Sequence, residues 1–116
     1  PYNLKKNQIA YVGTHDNQTV MGWTKELSPE ALDFCKEYIG YREGDDFNWV
    51  MIRQLMATVC DTAIVQAQDL LGLDENARMN APSTVGRNWQ WMAEDGCFTD
   101  DIKERLKELT HVYGRA

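Results

Sequence analysis

The chain has 116 residues, enough for one domain or a piece of one, and 43% of them are apolar, enough for a useful core. Its formal net charge of -6 excludes an electrostatic grip on nucleic acid or anionic lipid. No apolar run approaches the length of a membrane span, no signal-peptide pattern is present, and Cys35, Cys60 and Cys97 are an odd, widely spaced set without a CxxC. They read as reduced side chains of a cytoplasmic protein.

Ile9 to Gly13 (Ile-Ala-Tyr-Val-Gly) reads as a short buried strand, too brief for a helix and closed by glycine. Opening at Pro1 almost directly into this strand, the chain is expected to be a cut from a larger protein. Residues 14–19 form the loop at the strand's carboxyl end. This loop packs hydroxyl, imidazole, carboxylate and amide groups together as Thr14-His15-Asp16-Asn17. A carboxylate can accept bonds from two neighbouring sugar hydroxyls, and an imidazole can donate to a third. Thr14 and Asn17 can close the loop through local backbone bonds. The same residues also suit an Asx-turn with His15 on the surface.

Ser28-Pro29-Glu30 is a helix start: a hydroxyl cap, proline at the first position and an acid in the first turn. The spacing puts Leu32, Cys35 and Ile39 on one face and ends the helix at Gly40. A second start at Asp45-Asp46 leads to Phe47, Val50, Met51, Leu55 and Val59 on one face. Arg53 and Gln54 fall off that face.

Thr62 to Gln68 is a second β-capable run feeding polar residues into a loop. Gln66, Gln68 and Asp69 suit backbone bonding and a site equally. Residues 72–98 are loop-like, with a short helical turn near Asp74 to Met79; a loop this long inside a compact domain is more often functional than idle. It carries amides, a proline turn and Trp89 and Trp91, whose indoles suit sugar faces or a core. Thr99 caps a last helix, Asp100 to Leu109, with Ile102, Leu106 and Leu109 as its stripe and Asp101–Arg105 as an i,i+4 pair.

Strand, helices, strand, long loop, helix is a β-α-β-α order, which argues for a parallel sheet with helices on its faces. Two strands make a poor sheet, so the chain is expected either to be part of a larger α/β fold or, in isolation, to fold mainly as helices with self-association of the fragment.

Three stretches carry a resemblance. Tyr11 to Trp23 reads Tyr-x-Gly-Thr-His-Asp-Asn-x-Thr-x-x-Gly-Trp, Gln68 to Gly72 reads Gln-Asp-Leu-Leu-Gly, and Ala77 to Trp91 reads Ala-Arg-Met-Asn-x-Pro-x-Thr-x-Gly-x-Asn-Trp-x-Trp. In order and spacing the chain resembles the 4-α-glucanotransferases, the amylomaltase or disproportionating-enzyme family (glycoside hydrolase family 77), over roughly residues 8–109. Two departures stand out: Ser83 where the family often has Gly, and Met92 where an Arg is usual.

The resemblance implies an α/β fold, residues 1–116 being a single partial domain: the helix-rich C-terminal quarter of a TIM (β/α)8 barrel, strands 7 and 8 with their helices. Sites of such barrels sit at the carboxyl ends of strands, where both polar clusters fall. It implies that Asp16 is the third acidic residue of the site, stabilising the transition state, and that His15, Asn80 and Trp89 bind substrate. The implied substrate is a maltooligosaccharide or starch-like glucan, and no metal or organic cofactor is implied. The family reaction is retaining and needs a nucleophile and an acid/base about 5 Å apart. No acidic residue here matches either motif, so the chain alone is expected to be inactive. Two other classes are a carbohydrate-binding module using Trp89 and Trp91, and a helical interaction module without a ligand.

Overall fold

In the computed structural model, which describes residues 4–14, 16–86 and 88–115, two short parallel strands lie beside a set of helices. Strand β1 (Ile9–Tyr11) pairs with β2 (Thr62–Ile64), with Ile9 opposite Thr62, Ala10 opposite Ala63 and Tyr11 opposite Ile64. Between them come α1 (Val20–Glu26), α2 (Pro29–Ile39) and α3 (Phe47–Met56). After β2 come the short α4 (Ala67–Leu70), a 3-10 turn (Glu75–Ala77) and α5 (Asp100–Val112).

Local chemistry sets most of these boundaries. Ser28 Oγ accepts from the Ala31 N–H at 3.2 Å with Pro29 at the first helical position, so α2 starts where an unpaired donor is satisfied. It stops at Gly40, whose left-handed φ of 75° suits a residue without Cβ. Thr99 caps α5 through the Ile102 N–H at 3.4 Å.

Helix α3 is the centre of the core. Val50 packs with Val20, Ile39 and Phe47 toward α1 and α2; Leu55 packs with Ala10 and Cys60 at the sheet. Trp49, Ile52 and Met56 meet Leu70 and the Ile102, Leu106 and Leu109 stripe of α5, which confirms that stripe. Arg115 closes the turn after α3. Its guanidinium donates to the carbonyls of Met56, Thr58 and Cys60, each at 2.9 Å.

The structure corrects the expected elements in four places. Helix α1 was not foreseen, because its Val-Met-Gly-Trp run holds a helix-weakening glycine beside a polar loop. Helix α3 ends at Met56, and Val59 is 61% exposed rather than part of the buried face. Strand β2 stops at Ile64, and Gln68 lies in α4. Arg105 pairs with Asp46 at 2.8 Å and sits over the Trp49 ring, rather than serving Asp101. Among the described residues only one face of the sheet is covered: Ala10 is buried, while Ile9, Tyr11 and Ile64 are exposed. Among the described residues no helix is long and apolar enough to cross a membrane.

Candidate functional site

The carboxyl end of β1 runs into a loop that Thr14 and Asn17 close on themselves. The Asn17 N–H donates to the Thr14 carbonyl at 3.0 Å, and the Asn17 Oδ1 accepts from the Thr14 N–H at 2.8 Å and from its hydroxyl at 3.0 Å. This is the local bonding expected of hydroxyl and amide side chains in a turn, and it sets where Asp16 stands. The Asp16 N–H reaches the Thr14 Oγ1 at 3.4 Å. His15, the neighbouring candidate, lies outside the described residues.

Thr19 ends the loop and starts α1. Its hydroxyl accepts from the Gly22 N–H at 3.1 Å. Gly22 allows α1 to press against the 3-10 turn: a Cβ there would lie 2.8 Å from Gln18 Cδ and 2.9 Å from the Glu75 backbone nitrogen. Lys25 on α1 holds the same turn from outside, bonding Glu75 Oε2 at 3.2 Å and Asp74 Oδ2 at 3.4 Å. The Glu75 bond, more than Asp74, raises the Lys25 pKa. Asp74 is held below the usual carboxylate range, chiefly by the Asn76 N–H that it accepts.

From this turn the chain enters the second polar stretch, and here the two motifs meet. Asn80 Nδ2 donates to Asp16 Oδ1 at 2.5 Å. Arg78 joins the two backbones, Nη2 donating to the Asp16 carbonyl at 2.8 Å and Nε to the Asn80 carbonyl at 3.0 Å. Asp16 is thus fixed through its side chain and its main chain by residues more than sixty positions away. Asn88 ties off the loop beyond: its Oδ1 accepts from the Ala81 N–H and its Nδ2 donates to the Thr84 carbonyl, both at 3.0 Å.

Beneath the loops lies the group formed by Gln66, Gln68 and Asp69. Gln68 and Asp69 are buried and bond backbone. Gln68 Nε2 donates to the Ala77 carbonyl at 3.2 Å, and Asp69 Oδ1 accepts from the Val20 N–H at 2.8 Å. Burial pushes the Asp69 carboxyl above its ordinary pKa, against the lowering effect of the Val20 N–H. Gln66 Nε2 is buried with no hydrogen-bond partner among the described residues and sits 3.1 Å from where a Gly13 Cβ would be.

The sequence candidates fall unevenly. Asp16 and Asn80 touch. Trp89 stands at the surface, 60% exposed, with a left-handed φ of 62°. Trp91, a sugar-face candidate only beside Trp89 in the binding-module reading, lines a cavity of about 460 Å³ with Arg78, Asn88, Gln90 and Met92. Arg78 has no role of its own in the sequence reading, since an arginine after the polar turn Glu75–Ala77 gives no local sign of a partner sixty-two residues away. Ser83, one of the two family departures, also has a left-handed φ, 63°.

Comparison with known proteins shows the family and the fold. The family model described as 4-alpha-glucanotransferase matches residues 1–98. The 4-alpha-glucanotransferase of Clostridium butyricum is 42% identical over 116 residues, covering 99% of this chain and 24% of that protein. The chloroplastic/amyloplastic 4-alpha-glucanotransferase of Arabidopsis thaliana is 37% identical over 118 residues, covering 99% of this chain and 20% of that protein. Among solved structures, an amylomaltase from Streptococcus agalactiae in complex with acarbose superposes with a TM-score of 0.96 at 40% identity. That match covers 100% of this chain and 23% of the amylomaltase. The chain therefore spans about a fifth to a quarter of the length of the curated relatives it matches.

Proposed function

The chain belongs to the 4-alpha-glucanotransferase family, and on that premise we propose that it is the C-terminal quarter of an enzyme that moves α-1,4-glucan segments between maltooligosaccharides or starch-like glucans. In this reading β1 and β2 are the seventh and eighth strands of a TIM barrel. Their parallel pairing supports it, as do the polar loops at their carboxyl ends, where barrel sites lie. The uncovered sheet face adds to this, because parallel strands are ordinarily covered on both faces.

The observation that carries the reading is the Asp16–Asn80 bond, reinforced by Arg78. It joins two separate sequence motifs at one carboxylate. A fixed carboxylate can accept two sugar hydroxyls and hold a distorted ring. Its negative charge then favours the positive charge that develops at the anomeric carbon in the transition state. Asp16 has that role here, and His15, Asn80 and Trp89 contact the glucan. The reaction is a retaining double displacement. A nucleophilic carboxylate takes the glucan segment as a covalent intermediate while a second carboxyl protonates the departing sugar. The 4-hydroxyl of an acceptor sugar then attacks, giving its proton to that same group. Both carboxylates belong to parts of the enzyme outside this chain, so the chain alone is inactive. The free Cys35, Cys60 and Cys97 suit a reducing compartment such as the cytoplasm.

The test is disproportionation of maltotriose. A complete glucanotransferase containing this chain should turn over, and its Asp16→Asn variant should lose about a hundred- to a thousandfold in kcat, the scale of losing a preorganised stabilising group at the reacting centre. Turnover by the 116-residue chain alone, or a fully active Asp16→Asn enzyme, would overturn the reading. A second reading, a binding module, draws on the exposure of Trp89 and on Trp91 at the cavity. Saturable quenching of tryptophan fluorescence by maltoheptaose in the chain alone would favour it.

A further inference from the structure

Gln68 and Asp69 are consecutive, only 5% and 1% exposed, and lie in α4 where the chain leaves β2. Each side chain grips the backbone of a different loop. Gln68 holds the carbonyl of Ala77, the residue immediately before Arg78. Asp69 holds the N–H of Val20, four residues after Asp16. Asn48 Nδ2 in turn donates to the Asp69 carbonyl at 2.7 Å, tying the pair to α3, the central helix of the core. The two loops that meet at the Asp16–Asn80 bond are therefore anchored on adjacent residues of one buried segment.

Folding alone gives little reason for this choice of side chains. A neutral serine or asparagine would satisfy the Val20 N–H. A buried carboxylate is the costly solution, and the Oδ2 of Asp69 has no hydrogen-bond partner among the described residues. What the pair supplies is placement: from adjacent buried positions one side chain donates to one loop and the other accepts from the second, setting the spacing between them.

We propose that Gln68 and Asp69 are positioning residues that set the Asp16–Asn80 geometry, a role that rests on the glucan-transfer reading of Asp16. A misplacement of about 1 Å at a reacting centre can cost on the order of a hundredfold in rate, so loss of either anchor should be read in kcat.

The experiment uses a complete glucanotransferase containing this chain, with maltotriose as substrate. Gln68→Met and Gln68→Glu both remove the amide donor, Asp69→Leu removes the acceptor, and Asp69→Asn keeps one. The first three should lower kcat by about 10- to 100-fold while KM stays within about threefold, the pattern of an interaction that matters in the transition state. Asp69→Asn should recover most of the rate that Asp69→Leu loses. The proposal is overturned if Gln68→Met and Gln68→Glu lower the melting temperature yet keep the wild-type kcat per folded molecule, or if Asp69→Asn falls as far as Asp69→Leu. The Gln68 pair decides the matter should Asp69→Leu not fold. Asp16→Asn runs alongside: if it retains the wild-type rate, the glucan reading itself falls. If it abolishes turnover while the Gln68 variants do not, only the positioning role falls.

Discussion

Arg78 donates through Nη2 to the backbone carbonyl of Asp16 at 2.8 Å and through Nε to the carbonyl of Asn80 at 3.0 Å. One planar guanidinium thus spans the two loops that form the candidate site. A lysine offers a single ammonium on a flexible stem and cannot reproduce both bonds at once. Hydrogen bonds from charged donors contribute about 1.5–3 kcal/mol, and about 1.4 kcal/mol is tenfold in rate, so Arg78→Lys should lower kcat/KM at least about tenfold in a complete enzyme. Arg78→Met should do worse. Initial rates on maltotriose check this; an Arg78→Lys enzyme within twofold of wild type would mean that Asp16 is held without the fork.

Asp69 makes stability depend on pH in a direction unlike that of most carboxylates. Burial raises its folded pKa above the ordinary 3.8. The folded state then binds its proton more tightly than the unfolded state. Its contribution is fully present below the unfolded value and is lost as pH rises through the folded one. Asp69→Asn cannot ionise, so its stability relative to the parent chain should improve from pH 4 to pH 7. Urea midpoints for both proteins across that range give the answer; a constant difference would mean that the carboxylate is not desolvated in solution. Asp74 has the opposite sign. Its pKa is lowered, mainly by the Asn76 N–H, so its stabilisation is present above the ordinary value and lost as pH falls below it.

How much could be read from the chain itself depended on whether the deciding interaction was local. The caps of α2 and α5 were legible because Ser28 and Thr99 bond donors three residues on. The stripe of α5 was legible because its period matches a helix. Helix α1 is less legible: its Thr19 cap is local, but Gly22 weakens the helical pattern, and its first N–H is met by Asp69, forty-nine residues away. Strand β2 reads too long because Val65-Gln66-Ala67-Gln68 continues an apolar-polar alternation while the backbone turns into a helix at Ala67. Within the site, Asp16 and Asn80 were both singled out, but their contact was not visible in a spacing of 64 residues, and Arg78 gave no periodic or turn signal. The family motifs located the loops; the bonds between them are a property of the fold.

Gly22 sets two effects against each other. In a helix, alanine is favoured over glycine by about 1 kcal/mol, so Gly22→Ala would ordinarily stabilise α1. Here the added Cβ would lie 2.9 Å from the Glu75 backbone nitrogen and 2.8 Å from Gln18 Cδ. The glutamine end can swing aside, but the backbone of the 3-10 turn cannot. Overpacking of this kind costs about 1–3 kcal/mol, which outweighs the propensity gain. Gly22→Ala should therefore lower the urea midpoint, and a midpoint raised by the substitution would show that α1 and the turn are not in contact in solution.

Ser83 offers the reverse case, a substitution toward glycine that stabilises. Its φ of 63° lies in the left-handed region, where a Cβ crowds the following carbonyl at a cost of about 1–2 kcal/mol. Glycine removes that cost but adds freedom to the unfolded chain, worth about 0.4–1 kcal/mol the other way. The serine side chain is exposed, so little packing is given up. The strain is the larger quantity, and Ser83→Gly should raise stability by somewhat under about 1 kcal/mol. The same replacement at Trp89, with a similar φ of 62°, would sacrifice the indole that the site is proposed to use. Thermal unfolding of Ser83→Gly beside the parent chain is the check. An equal or lower midpoint would show that residues 81–86, tied off by Asn88, relax around the serine.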